Sequence, residues 1–144
     1  ARALVSIACG GGVTLAFTSY FVLTLDPWYK ANTMIPLAGM IFASSMNAVS
    51  VAAERLYMEI KHGSPITLAR NQAFKAGLIP IFNSLLAVGL VSLPGMMTGQ
   101  ILSGISPLIA VRYQIVVMCM ITGASGMSAA LYLYLQSKKY SAAG

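Results

Sequence analysis

Residues 92–100 read Ser-Leu-Pro-Gly-Met-Met-Thr-Gly-Gln and interrupt two long apolar runs. Proline and glycine break a helix, and a helix broken at membrane depth leaves backbone N–H and C=O groups without partners. Such a break is tolerated only where protein or a water-filled cavity satisfies those groups. The stretch therefore indicates a pathway, a gate or a tight helix crossing inside a membrane.

The composition of the whole chain agrees with a membrane protein. Its 144 residues are 58% hydrophobic and 8% charged, with a mean hydropathy of +0.78. A soluble domain carries roughly 25% charged residues, so lipid must cover most of this exterior. The length suits one membrane domain without a separate catalytic domain. The chain begins at Ala1 without an initiator Met, and we expect it to be a fragment of a longer protein.

Four apolar segments are long enough to span a bilayer, which requires about 20 residues each. They comprise residues 3–25, 33–53, 76–93 and 106–136, the last opened by the cap-plus-proline pair Ser106-Pro107. The predicted fold class is therefore an all-α polytopic membrane protein with about four transmembrane helices.

A polar elbow, residues 54–75, separates the second and third predicted spans. Ile66, Ala69, Ala73 and Ala76 recur there at helical spacing. This predicts a short amphipathic helix on the membrane surface, opened by the Gly63-Ser64-Pro65 sequence and ended near residues 77–80. Two functions are open for it: docking to a soluble partner, or resting on lipid headgroups.

The basic residues predict the orientation. Seven fall on one side of a four-span arrangement and two on the other: Arg2, Arg55, Lys61, Arg70, Lys75, Lys138 and Lys139 against Lys30 and Arg112. Positive residues favour the cytoplasmic side, so both termini and the elbow are expected there. Orientation explains the net charge of +6 better than nucleic-acid binding does.

The sequence offers few groups for catalysis. It holds one His and three carboxylates, none inside a predicted span, and no phosphate-binding loop. We therefore expect no catalytic residues, no resident metal or cofactor and no enzyme activity in this chain. Cys9 and Cys119 fall in apolar runs and are expected to be small buried hydrophobes without a disulfide.

Several polar or small residues inside the spans have two interpretations. Asn47 and Asn83 either form interhelical hydrogen bonds or line a pathway. Met96 and Met97 are more often flexible packing than soft metal ligands. The glycine pairs at residues 95 and 99 and at residues 123 and 126 are typical of close helix packing.

The order of these motifs resembles the FetB-like (UPF0014) family of ABC transporter permeases, which is associated with iron export and aluminium tolerance. The resemblance rests on residues 34–40 (MIPLAGM), 46–50 (MNAVS), 76–80 (AGLIP), 88–101 (VGLVSLPGMMTGQI) and 113–116 (YQIV), together with Gly63-Ser64-Pro65 and Asn83-Ser84. It covers nearly the whole chain but only about the C-terminal half or more of a typical member, so the resemblance implies that residues 1–144 are a single transmembrane domain from the C-terminal part of a larger permease. Members usually have a longer stretch before Gly63, where this chain has Lys61-His62.

The resemblance implies roles for particular residues. Those expected to couple to a separate ATPase subunit are Gly63, Ser64, Pro65, Leu68, Arg70 and Phe74. Those expected to line a pathway or gate are Asn47, Asn83, Ser84, Pro94, Met96, Met97 and Gln100. It also implies a permease homodimer in a bacterial inner membrane, with ATP and Mg²⁺ bound by the partner ATPase.

The leading hypothesis is thus the membrane subunit of an ABC exporter for iron or another metal or metal complex. The alternatives are a structural or assembly subunit without its own pathway, and an ABC permease for a non-metal solute. A channel is disfavoured because no carbonyl filter or charged ring is recognisable.

Overall fold

The chain folds into helices throughout the part that can be described. A computed structural model describes residues 2–22, 31–88 and 94–141. The helices are α1 (Arg2–Phe17), which continues as a π-helix (Thr18–Val22), α2 (Ala31–Lys61), α3 (Ile66–Ala87), α4 (Gly95–Leu102) and α5 (Pro107–Ser141). The predicted all-α membrane fold is confirmed, and α5 begins at the predicted Ser106-Pro107 signal, where the Ser106 carbonyl accepts the first backbone bonds.

Among the described residues, three helical segments are long and apolar enough to cross a membrane. They cover residues 2–20, 34–61 and 107–138. The predicted third span is not among them, because α3 joins its start to the elbow helix and carries Arg70, Asn71, Gln72 and Lys75. Residues 89–93, the end of that predicted span, lie outside the described residues.

The predicted boundary between the elbow helix and the third span is wrong. We expected a helix end near Gly77 and Pro80, yet α3 runs through both. Gly77 is buried, and a Cβ there would lie 2.8 Å from the Ala48 carbonyl oxygen of α2. The glycine therefore serves a close helix crossing and does not end the helix. The stripe that includes Ala69 and Ala73 is likewise buried inside the protein and does not rest on lipid.

Helix α2 is longer than predicted at both ends. Its 31 residues give a length of about 46 Å, against roughly 30 Å of hydrocarbon in a bilayer. The predicted end at residue 53 is passed because Arg55 and Glu59 form an i,i+4 ion pair that supports another two turns. The end of α2 and the start of α3 therefore form a helical hairpin that can extend beyond the hydrocarbon.

Four helices pack in an up-and-down arrangement. Helix α1 is antiparallel to α5, since Arg2 lies at Gln136 and Gly10 lies at Ser128. Helix α2 is antiparallel to α3, since Gly77 lies between Ala48 and Ala52. Helices α2 and α5 are parallel, since Ile41 shares a cluster with Val117 and the later Leu56 shares one with the later Leu133. These two long helices contact each other as well as α1 and α3.

The buried apolar side chains form two separate clusters along the α2–α5 pair. The upper cluster consists of Leu37, Ile41, Val117, Met120 and Ala124. The lower cluster consists of Ala52, Leu56, Ala69, Ala73 and Leu133, and lies towards the elbow. The two clusters fix the register of α2 against α5.

The close-packing glycines are not the predicted ones. A Cβ on Gly10 would collide with the hydroxyl of Ser128 and lie 2.9 Å from its backbone nitrogen. At the predicted pairs, residues 95 and 99 and residues 123 and 126, a Cβ would meet nothing within 4 Å in the described part of the chain. Spacing alone did not reveal which glycines face a neighbouring helix.

The two cysteines are free, as predicted, but they are not buried. Both Cys9 and Cys119 are exposed on helix exteriors of this apolar protein. Many large apolar side chains share that exterior, including Leu4, Ile35 and Leu86. A membrane helix presents apolar residues both to lipid and to the protein core, so the apolar sequence around each cysteine did not show which of these two environments it faces.

Candidate functional site

The elbow turn between α2 and α3 has a defined backbone geometry. Gly63 has φ of 79°, its N–H donates to the Ile60 carbonyl at 3.0 Å, and the Ser64 N–H donates to the Glu59 carbonyl at 3.1 Å. These two bonds form a Schellman motif, in which a glycine in the left-handed region closes a helix. The turn at the predicted coupling residue Gly63 is therefore fixed by its own hydrogen bonds.

The Glu59 carboxylate ties the turn to α2. One oxygen is 2.6 Å from the Arg55 guanidinium, and the other accepts a hydrogen bond from the Ser64 hydroxyl at 2.8 Å. Ser64, in the sequence predicted to open the elbow helix, does not cap α3, because the N-cap is Pro65 and no side-chain cap bond is present there. The nearby carboxylate competes successfully for the hydroxyl because it is charged. The turn is thus held by side-chain bonds as well as by backbone bonds.

A cleft of about 380 Å³ lies between α3 and α5, close to the elbow. Its lining consists of Arg70, Asn71, Phe74, Ala130, Leu133 and Tyr134. Two predicted coupling residues, Arg70 and Phe74, therefore share one cleft, with an exposed guanidinium beside an aromatic wall. Gly63, Pro65 and Leu68 are exposed on the same hairpin.

Sequence reasoning missed the α5 side of this cleft. Leu133 and Tyr134 lie some 60 residues from the elbow in the chain, and only the α3–α5 contact brings them there. No local sequence pattern indicates that pairing.

The elbow end of the molecule is basic. Arg2 at the start of α1 donates to Gln136 near the end of α5 at 3.2 Å, so both helix ends lie at the same level. Arg70 and Tyr134 lie at this end too. Arg112, predicted for the opposite side, is 24 residues from Gln136 along α5, or about 36 Å away. Arg2 and Arg70 therefore lie at the opposite end of the described structure from Arg112, while Lys30 lies outside the described residues.

A second cleft, of about 620 Å³, runs along the α2–α3 groove. It is lined by Val51, Glu54, Arg55, Met58, Glu59, His62 and Ala76. No group of three or more His, Cys, Asp or Glu side chains that could hold a metal ion occurs in the described segments.

The predicted pathway residues of the second and third spans separate into two sets. Asn47 and Ser84 share a small pocket of about 60 Å³ with Gly77 and Pro80. Asn83 is exposed and does not line it. Neither amide forms a side-chain hydrogen bond within the described part of the chain, so interhelical bonding through them is not present there.

The other predicted pathway residues belong to α4. Pro94 is its N-cap, and Met96, Met97 and Gln100 are half-buried, with Met96 packed against the upper cluster. A second Schellman turn follows, in which Gly104, at φ of 86°, and its successor donate to carbonyls of α4. The described part of residues 92–100 is thus a proline followed by a short helix, not a disordered break. Residues 92 and 93 lie outside the described part of the chain.

Three buried serines were not predicted. The hydroxyls of Ser45, Ser125 and Ser128 are fully buried and have no hydrogen-bond partner among the described residues. Serine alone in an apolar run gives no signal, because most helical serines bond the carbonyl four residues earlier, as Ser6 does here at 3.0 Å.

Helical spans, an apolar exterior and a basic end define a polytopic integral membrane protein. The model of the uncharacterised protein family UPF0014 matches residues 1–141, and the chain belongs to that family. The family resemblance expected from the motifs is therefore confirmed.

Curated relatives extend this result. The chain is 37% identical to the UPF0014 membrane protein slr1647 of Synechocystis, over 81% of this chain and 51% of that protein. It is 33% identical to the probable iron export permease protein FetB of Escherichia coli, over 94% of this chain and 57% of that protein. It is 35% identical to the protein ALUMINUM SENSITIVE 3 of Arabidopsis thaliana, over 90% of this chain and 52% of that protein. The chain thus spans about half the length of these relatives.

The alignment with FetB covers 153 positions, more than the 144 residues of this chain. FetB therefore has residues within the aligned region for which this chain has none. No solved structure matches the chain.

Proposed function

We propose that this chain is part of the membrane-spanning permease subunit of an ATP-driven exporter for iron or another metal or metal complex. The observation that supports this most directly is the 33% identity to a probable iron export permease across 94% of the chain. ATP hydrolysis belongs to a separate subunit in this proposal, and two permeases form a homodimer. The membrane is a bacterial inner membrane, with both termini and the elbow in the cytoplasm.

The α2–α3 hairpin is the proposed docking element for the ATPase. It can extend beyond the hydrocarbon, its turn is held by the Gly63 backbone bonds and by Glu59, and it presents Leu68 and Arg70 on its exterior. An ATPase that closes on ATP would move this rigid turn. Because α3 packs on α2 through Gly77, that motion would reach the spans.

Co-purification of the full-length permease with its ATPase tests the docking role. The double variant Arg70→Glu with Phe74→Ala should reduce recovery of the ATPase at least tenfold, because it reverses the charge and removes the aromatic wall. Leu108→Ala with Arg112→Glu is the matched control: the same residue classes, the same spacing of four, both side chains exposed, at the opposite end of the molecule. Equal recovery with both double variants would rule out docking at the elbow.

Metal accumulation tests the cargo. Cells that express the full-length permease with its ATPase should contain less iron than cells in which the ATPase cannot hydrolyse ATP. Unchanged iron together with a change in another solute would identify a non-metal permease. A complex that assembles but alters the cellular content of no solute would indicate a structural subunit.

A further inference from the structure

The two apolar clusters are separated by a layer of small and hydroxyl-bearing side chains. Between Ile41 and Ala52 of α2, the buried residues are Ser45, Ala48 and Val49. Between Ala124 and Leu133 of α5, they are Ser125, Ser128 and Ala129. Ser45 is four residues after Ile41 and seven before Ala52, so it lies on the face of α2 that meets α5.

The three serine hydroxyls in this layer lack the bond that several other hydroxyls of the described residues form. Ser6, Thr14, Ser84, Ser103 and Thr122 each donate to the carbonyl four residues earlier, at 2.8–3.0 Å. The hydroxyls of the three layer serines donate to nothing among the described residues, although their exposed fraction is 0%. A buried hydroxyl without a partner keeps the full desolvation penalty of its burial, and in lipid no solvent reduces that penalty.

Helix α1 covers this layer. Gly10 lies so close to Ser128 that an added Cβ would lie 3.0 Å from its Cα and closer still to its nitrogen and hydroxyl. Only a residue without a side chain lets α1 approach α5 this closely. At Ser128 the hydroxyl layer is therefore closed directly by the α1 backbone at Gly10.

We infer that Ser45, Ser125 and Ser128 line the route of the cargo and contact it when α1 moves away from α5. This inference rests on the proposed transport function and names the part of the chain that meets the cargo. In the closed arrangement seen here, the cost of the three unpartnered hydroxyls opposes closure, and a passing polar cargo would relieve it.

The chemistry of the layer limits the form of the cargo. Three neutral hydroxyls can donate to and accept from the water or ligand oxygens that surround a metal. They carry no negative charge to replace the hydration shell of a bare divalent ion, which prefers carboxylate, imidazole or thiolate ligands in proteins. The layer therefore suits a hydrated cation or an oxygen-rich metal complex.

Alanine substitution distinguishes a route from simple packing. In the full-length permease with its ATPase, Ser45→Ala, Ser125→Ala and Ser128→Ala should each leave the melting temperature unchanged or raise it, because an unsatisfied group is removed. Export of iron–citrate from loaded cells should fall at least fivefold for the triple variant. Ser6→Ala is the matched control, a fully buried serine whose hydroxyl is already bonded, and its export should stay within twofold. A triple variant that exports at the wild-type rate would overturn the inference.

Cysteine labelling provides a test that does not depend on export. With Cys9 and Cys119 replaced by alanine, Ser45→Cys and Ser128→Cys should react with a membrane-impermeant thiol reagent in at least one nucleotide state of the complex. Ala124→Cys, in the upper apolar cluster, should stay protected. Protection of both serine positions in every state overturns the route, even if iron export is observed. Labelling without any iron export would instead contradict the proposed cargo while leaving the route in place.

Discussion

The α2–α3 crossing at Gly77 allows one substitution to be worked through in detail. In Gly77→Ala the new Cβ would lie 2.8 Å from the Ala48 carbonyl oxygen and 3.0 Å from the Ala52 Cβ. The first contact is with backbone, which no rotamer change can move, so α2 and α3 must separate by several tenths of an ångström. Overpacking of this kind costs about 1–3 kcal/mol.

An opposing effect must be subtracted. Alanine is favoured over glycine in a helix interior by about 1 kcal/mol, so the net cost of Gly77→Ala is about 0–2 kcal/mol. Gly39→Ala, in α2 with nothing within 4 Å of its added Cβ, gains the same preference without the clash and is the control. The two variants should therefore differ by about 1–3 kcal/mol, which corresponds to roughly 2–12 °C in melting temperature.

Thermal unfolding of the detergent-solubilised protein, followed by loss of the monodisperse peak in size-exclusion chromatography, measures that difference. A second substitution identifies the clashing atom. Ala52→Gly removes the side-chain contact but leaves the Ala48 carbonyl, so it should not rescue Gly77→Ala. Equal melting temperatures for Gly77→Ala and Gly39→Ala, or full rescue by Ala52→Gly, would refute the backbone crossing.

Three further substitutions have expected outcomes. Gly10→Ala should lower the melting temperature more than Gly12→Ala, because only the former places a Cβ against Ser128, and equal values would contradict the α1–α5 approach. Gly63→Ala should lower the free energy of unfolding by about 1–2 kcal/mol, because the residue has a positive φ, and Gly63→Asn should lower it less. Chemical denaturation measures both values, and equal losses for the two variants would contradict the left-handed turn. Glu59→Gln should lower the free energy of unfolding by no more than about 1 kcal/mol, because its partner Arg55 is half exposed. A much larger loss of that free energy in the same assay would show that the elbow depends on this ion pair.

Much of the fold could be predicted because its signals are local. Ser106-Pro107 marks the start of α5, and Gly63 closes α2 through a turn that glycine favours. The apolar spacing around Ala69 and Ala73 predicted a helix with one apolar face, although not that this face packs inside the protein. These features depend on backbone conformation and periodicity, which neighbouring residues determine.

The errors concern features that depend on a second helix. Gly77 resembles a helix end in sequence, and only the approach of Ala48 shows that it is a crossing point. The cysteines could not be assigned to core or lipid, because both environments are apolar. The candidate site was predicted in part: Arg70 and Phe74 share a cleft, but its α5 wall and the buried serines appear only once the register of α2 against α5 is known.

The parallel pairing of α2 and α5 has a consequence for how the protein is made. Sequence separation between the paired faces is large, since Ile41 meets Val117 and Leu56 meets Leu133. A chain synthesised from its N-terminus must place α2 in the bilayer before α5 exists, so the face that carries Ser45 first contacts lipid or an insertion factor. The α2 face that carries Ser45 therefore stays uncovered until α5 has been inserted, and a nascent chain that stops before α5 would expose that hydroxyl to the membrane quality-control machinery.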